Sequence, residues 1–280
     1  MDPHKKSEDE AIAISKIHYH INNNTLSGQK IKEAFKKDLP NEPIFIGSKE
    51  SGATRSTHHD LQLIMNLDPL TLKNVEYKGS CEFKLINNNR KPWDYGVQFL
   101  NGSGNKFSIG IDYAICFYNV YIDKIIEHFN IQTPKPSFEE WSKDAFRQGK
   151  PKTEFVKELR EKGYKSTYLS QFRKEINKNF IASNEQLDKL MVEVENIANK
   201  ALNCKDYWLQ IHGNIDDPEY FNVKWTNKIN MPEIISREQV ISKQYSDINF
   251  KFICSDNSVF YAKLRWGYGQ CISNIRIDIK

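Results

Sequence analysis

The sequence predicts a mixed α/β chain of the α+β kind. Three observations predict it. Helical spacing of apolar residues occurs at the N-terminus and again between residues 112 and 202. Short extended runs separated by turn residues fill the stretch 44–110. After about Tyr207 the pattern returns to strands and tight turns.

The elements follow in order. Ser7-Glu8-Asp9-Glu10 has capping-box spacing and precedes Ala11, Ile14, Ile17 and Ile21 on one helical face. Asn22-Asn23-Asn24 stops that helix, and a second runs from about Ser27 to Lys37 with Ile31, Ala34 and Phe35 inward. Strands are expected at Ile44–Ile46, at Leu61–Met65 and at Val75–Lys78, the last able to continue as far as Leu85. Val97–Leu100 and Phe107–Ile109 flank Asn101-Gly102-Ser103-Gly104 and read as two strands around a turn. Tyr113, Phe117 and Tyr121 give the stripe of a helix over 112–129. Ser137-x-x-Glu140 and Ser183-x-x-Gln186 open further helices, with others at Thr153–Lys162 and Ser166–Phe180. Phe250–Cys254, Val259–Trp266 and Cys271–Ile279 form the closing strands. The expected organisation is N-terminal helices plus an α/β core over 1–130, a helical segment over 131–205, and a β-rich part over 206–280.

The chain has 280 residues, enough for one large domain or two modest ones. Hydrophobic residues make up 39%, which supports a core and excludes global disorder. Lys+Arg 40 against Asp+Glu 36 leaves 40 − 36 = +4. That excludes a polyacidic protein and a uniformly basic one, but not a nucleic-acid enzyme whose basic groups are local. No run approaches the ~20 apolar residues of a membrane span. The polar start, Met1 to Glu10, lacks a leader's apolar region. The five cysteines are scattered without a CxxC pair. A cytoplasmic, reducing setting with no membrane association is therefore expected.

The stretch that carries chemistry is His58-His59-Asp60-Leu61-Gln62-Leu63-Ile64, followed sixteen residues after Asp60 by Glu76-Tyr77-Lys78. Alternation along a strand puts Glu76 and Lys78 on one face. If the two strands pair as a hairpin, Asp60 joins them. Two carboxylates can hold a hard cation such as Mg²⁺, which keeps waters and binds a substrate phosphate. The cation acidifies a water and neutralises charge on phosphorus, and a lysine can orient that water or stabilise the transition state. The competing reading of Glu-x-Lys is a solvated sheet face or a cross-strand ion pair.

Asp60 followed by Glu76-x-Lys78, on an α-β-β-β-α succession, resembles the PD-(D/E)XK nuclease superfamily and, within it, the type II restriction endonucleases. The resemblance covers residues 44–129 as the core. It departs at His59, where the pattern's proline would stand. It implies a restriction-endonuclease-like mixed sheet flanked by helices, Mg²⁺-dependent cleavage of double-stranded DNA (Mn²⁺ as substitute), and a homodimer. It makes Asp60 and Glu76 metal ligands and Lys78 the catalytic lysine.

Other residues stand beside this set. Glu82-Phe83-Lys84 is a second ExK, with Asp68 as its candidate partner, although Asp68-Pro69 reads as a turn. Glu50 can assist the metal site or sit in a loop. Gln98 can bind water near the site or serve as a sheet residue. His59, with His58, suits a phosphate contact better than a zinc pair. Arg55 lies in the basic, hydroxyl-rich run before Asp60. Lys263, Arg265, Tyr268 and Gln270 are candidates for DNA contact, because Arg, Lys and Gln read base edges and the intervening glycines allow close approach. The alternatives to a sequence-specific endonuclease are a structure-specific or repair nuclease of the same superfamily and a non-catalytic DNA- or RNA-binding protein. No P-loop, dinucleotide fingerprint or Gly-x-Ser-x-Gly elbow is present.

Overall fold

The computed structural model describes residues 3–50, 59–79, 100–163, 167–228, 230–241, 246–267 and 273–279. They form a mixed α/β protein, as the sequence predicts, with two five-stranded sheets. The chain divides into two compact units. The first comprises Met1–Arg90 and Ala198–Met231, the second Lys91–Ile197 and Pro232–Lys280. Among the described residues, no helix is long and apolar enough to cross a membrane.

The first unit begins with helix α1 (Pro3–Asn22). It starts four residues ahead of Ser7, so Ser7 and Glu10 lie inside the helix and do not open it. Helix α2 (Leu26–Asp38) follows, capped by Thr25, whose hydroxyl accepts from Gly28 N–H at 3.1 Å. Strands β1 (Phe45–Glu50), β2 (Leu61–Met65) and β3 (Thr71–Lys78) form an antiparallel meander. The next strand in this sheet is β5 (Tyr207–Gly213), parallel to β3, and antiparallel β6 (Phe221–Asn227) closes it. The order is β1-β2-β3-β5-β6.

Alternation sorts this sheet's two faces. Leu61, Leu63, Met65, Val75, Tyr77, Tyr207, Leu209 and Ile211 join Ala13, Ile14, Ile17, Ile21, Ile31 and Phe35 of the helices in one core. Phe35 is its hub, edge-on to Phe45, Tyr207 and Trp225 at 5.0–5.1 Å. The opposite face carries Gln62, Asn74, Glu76, Lys78, Trp208 and Gln210, because these are the register neighbours of one another.

The second unit holds β4 (Leu100–Ser103), helices α3 (Ser108–His128), α4 (Phe138–Ala145), α5 (Glu154–Gly163), α6 (Thr167–Asn179) and most of α7 (Asn184–Asn203). Strands β7 (Ile234–Ile241), β8 (Ile248–Cys254), β9 (Val259–Trp266) and β10 (Ile275–Ile279) complete it. Its sheet runs β4-β10-β9-β8-β7. The expected caps form: Ser137 Oγ accepts from Glu140 N–H, and Ser183 and Gln186 bond reciprocally. Trp266 of β9 packs on Phe117 at 4.9 Å and donates to Tyr113 Oη at 2.9 Å.

Three further expectations change. Phe107–Ile109 is no strand: Gly104–Lys106 is a 3₁₀ turn and α3 starts at Ser108. Glu193 accepts from the part-buried Ser108 N–H, and Gly110 lies so close to Gly104 that a Cβ would meet Gly104 O at 2.2 Å. The boundaries 1–130, 131–205 and 206–280 also give way. Parallel pairing of β5 to β3 draws 207–227 into the first unit, while β7–β10 form one sheet with β4 in the second. For the same reason the core is not the contiguous 44–129, since α3 belongs with the second sheet.

Candidate active site

The site lies on the first unit's polar sheet face, at the ends of β2 and β3. Asp60 continues β2 by one residue, its N–H donating to Val75 O at 2.9 Å. That pairing sets Asp60 beside Glu76, and Asp60 Oδ2 accepts from Tyr77 N–H at 2.7 Å. Glu76 and Lys78 point to the same face, and Lys78 Nζ donates to Glu76 Oε1 at 2.5 Å.

Lys205, absent from the sequence-based set, completes the cluster. It stands in the turn between α7 and β5, and its Nζ lies 3.0 Å from Glu76 Oε2. Trp208, the register partner of Glu76, lies beneath both ammonium groups, 5.6 Å from Lys78 Nζ and 4.8 Å from Lys205 Nζ. Gln210 is the register partner of Lys78. Trp208 Nε1 and Gln210 Oε1 are buried without a hydrogen-bond partner among the described residues.

The electrostatics follow from this packing. Burial is the largest influence on Asp60 and, with the repulsion of Glu76 and Glu10, pushes its carboxyl up to about 7. Burial also opposes the charge on Glu76, but Lys78 and Lys205 outweigh it and hold that carboxyl below its usual range. Lys78 is raised: burial works against its charge, and Glu76 and Asp60 more than compensate. Lys205 is lowered, because burial and the neighbouring Lys78 exceed the pull of Glu76. Asp60 is thus the carboxyl of the site raised towards neutral pH, while Glu76 is held as an anion and Lys78 as a cation.

The donor set suits a hard divalent cation. Mg²⁺ is commonly held by one or two carboxylates, with waters and substrate phosphate supplying the rest. Asp60 and Glu76 offer that number, and the repulsion that raises Asp60 is what a cation would relieve. Among the described residues, no three His, Cys, Asp or Glu side chains form a metal-holding group.

Other expected site residues fall as follows. Glu50 ends β1 opposite Leu61 and is exposed, in a strand and not a loop. The additional carboxylate acting on Asp60 is Glu10 of α1, which sequence reading assigned to a cap. His59 is partly buried next to Asp60. Lys263 and Arg265 share the face of β9 that points away from its core, each in an ion pair: Lys263 with Asp247 at 2.7 Å and Arg265 with Asp278 at 2.5 Å. Asp68 is exposed in the turn before β3. Arg55, Glu82, Lys84, Gln98, Tyr268 and Gln270 lie outside the described residues. Gln210 does stand where Gln98 was expected, on the strand beside the Glu-x-Lys strand. Its signal was a glutamine within the apolar run Tyr207–Ile211.

Comparison with protein-family models, with curated proteins and with solved structures returned no match.

Proposed function

We propose that this chain is a divalent-cation-dependent endodeoxyribonuclease hydrolysing phosphodiester bonds of double-stranded DNA, in the manner of a type II restriction endonuclease. The observation that carries the reading is the meeting of Asp60, Glu76 and Lys78 on one sheet face. Pairing of β2, β3 and β5 holds them there, across an antiparallel and then a parallel ladder.

Asp60 and Glu76 would hold Mg²⁺, which supplies Lewis acidity at the phosphate when bound. Lys78 keeps its proton, so its role is donation to a phosphate oxygen or to the attacking water, and not proton abstraction. Asp60, pushed up to about 7 by burial and by Glu76 while no cation is bound, is the carboxyl whose charge such a cation would restore. Gln210 and Trp208, the register partners of Lys78 and Glu76, add a buried acceptor and a buried donor without a partner among the described residues. Cutting both strands calls for two such sites, hence a homodimer. The free thiols of Cys116 and Cys204 suit a reducing cytoplasm.

The test is digestion of unmethylated plasmid and phage DNA with Mg²⁺, with and without chelator. Discrete fragments are expected from the wild type, and loss of at least about 100-fold in rate from Asp60→Ala, Glu76→Ala or Lys78→Ala. Full activity in Glu76→Ala would remove this site from the reaction. Preference for branched DNA would instead indicate a structure-specific nuclease. One observation favours a third reading: both Glu76 oxygens are already neutralised by lysines, as in a structural ion network. DNA binding with no cation-dependent cleavage of any substrate would establish that non-catalytic reading.

A further inference from the structure

Lys205 has no counterpart in the sequence-based site, and a lysine in a turn ahead of a strand is ordinarily solvated. Here it is only 7% exposed. Its two neighbours are clamped to Asn74 of β3. Asp206 N–H donates to Asn74 O at 2.8 Å, Asp206 Oδ2 accepts from Asn74 N–H at 2.8 Å, and Cys204 O accepts from Asn74 Nδ2 at 3.0 Å. The backbone of Lys205 is thereby fixed to the strand that carries Glu76. Its side chain crosses the indole of Trp208 and ends 3.0 Å from Glu76 Oε2.

Lys78 already holds Glu76 Oε1 at 2.5 Å. Each oxygen of Glu76 therefore carries an ammonium, where one neutralising charge would satisfy a buried carboxylate. A cation liganded by Glu76 shares its oxygens with these ammonium groups and must bind against their charge. Lys78 is two residues from Glu76 on one strand and cannot move far from it. Lys205 comes from a separate segment and sits on the other oxygen.

We infer that Lys205 is a positioning residue acting through Glu76: its ammonium, paired with one oxygen of that carboxylate, competes with a divalent cation for the ligand, and so sets the protein's affinity for that cation. The inference rests on the reading of Asp60 and Glu76 as cation ligands. It gives the buried Glu76 a fixed geometry before any cation arrives. It also links cation to substrate, because a phosphodiester supplies the anion to which a displaced ammonium can turn.

The experiment is calorimetric titration of Mn²⁺ into the full chain without DNA, for wild type, Lys205→Met, Lys205→Gln and Glu76→Gln, with circular dichroism as the control for folding. Lys205→Met removes the charge and keeps the packing on Trp208. Lys205→Gln removes the charge and keeps a donor for Glu76, and its titration decides the matter if the methionine variant does not fold. Both neutral variants are expected to bind Mn²⁺ at least about tenfold more tightly than the wild type. Equal or weaker binding by the folded neutral variants overturns the role of Lys205, while loss of binding in Glu76→Gln leaves the ligand assignment standing. Undiminished binding in Glu76→Gln overturns the ligand assignment and, with it, the role of Lys205.

Discussion

Replacing Asp60 with asparagine should stabilise the cation-free protein at neutral and alkaline pH, and hardly at all in acid. Asp60 titrates at about 7 in the fold against an ordinary 3.8. A carboxyl raised on folding binds its proton more tightly in the native state. The stability it allows is therefore fully present below the unfolded value and is lost as pH rises towards about 7. The gap of about 3 units corresponds to about 4 kcal/mol at full ionisation. Integrating the two titrations leaves about 0.5 kcal/mol of that at pH 4 and nearly all of it by pH 8. The asparagine mimics the protonated carboxyl: its carbonyl can still accept from Tyr77 N–H, and its amide can donate towards Glu76. The assay is urea unfolding in the presence of chelator, wild type against Asp60→Asn, from pH 4 to pH 8. Effects of carboxylates remote from Asp60 cancel in the difference. The variant should lead by under about 1 kcal/mol at pH 4 and by about 3–4 kcal/mol at pH 8. A difference that does not change with pH, or a more stable wild type at pH 8, would refute the account of a charge held in a buried, anion-crowded place.

Gln210→Leu removes a buried acceptor without a partner among the described residues, so thermal unfolding should not fall; DNA cleavage should fall about tenfold or more, measured as a single-turnover rate, if its amide serves the reacting centre. Asp144→Ala should cost about 3 kcal/mol in urea unfolding, because the fully buried Asp144 carboxylate accepts from Lys152 N–H, Thr153 N–H and Thr153 Oγ1 and leaves those donors unpaired when removed. Glu158 is held down to about 2, first by the Gln132 N–H and then by Lys162 and Thr133. Its contribution is thus present above its ordinary 4.5 and is lost as pH falls towards about 2. Amide exchange at Gln132 and Thr133, corrected for intrinsic pH dependence, should accelerate over that window and be fast at every pH in Glu158→Gln.

The helices and most strands were legible because their signals are local. Ser137 with Glu140 and Ser183 with Gln186 cap as their spacing foretells, and Leu61, Leu63 and Met65 alternate into the core. Phe107–Ile109 misled because three apolar or small residues fit a strand and a helix start equally well; the deciding contact, Glu193 on the Ser108 N–H, comes from 85 residues away. Asp60, Glu76 and Lys78 were legible together for the same local reason. A hairpin of two short strands brings residues sixteen apart into register, and period two fixes their face.

The rest of the site depends on a parallel pairing, and a parallel neighbour is reached only by a crossover. Between the end of β3 at Lys78 and the start of β5 at Tyr207 the described residues include β4, a 3₁₀ turn and five α-helices. Nothing in Tyr207-Trp208-Leu209-Gln210 names β3 as its partner. What selects the register is polar and lies at the strand's edge: Asn74 bonds Cys204 and Asp206 through both its backbone and its side chain. A shift of one residue would break all three bonds and turn Trp208 and Gln210 into the core while exposing Tyr207 and Leu209. The same clamp that sets the sheet therefore delivers Lys205 to Glu76. Glu10 reaches Asp60 by a comparable route, carried by the apolar stripe of α1 on the sheet's other face. The chemistry-bearing residues of β2 and β3 can be read from spacing alone, whereas the groups that tune their charges arrive by long-range packing whose only sequence trace is an asparagine, an aspartate and an apolar period.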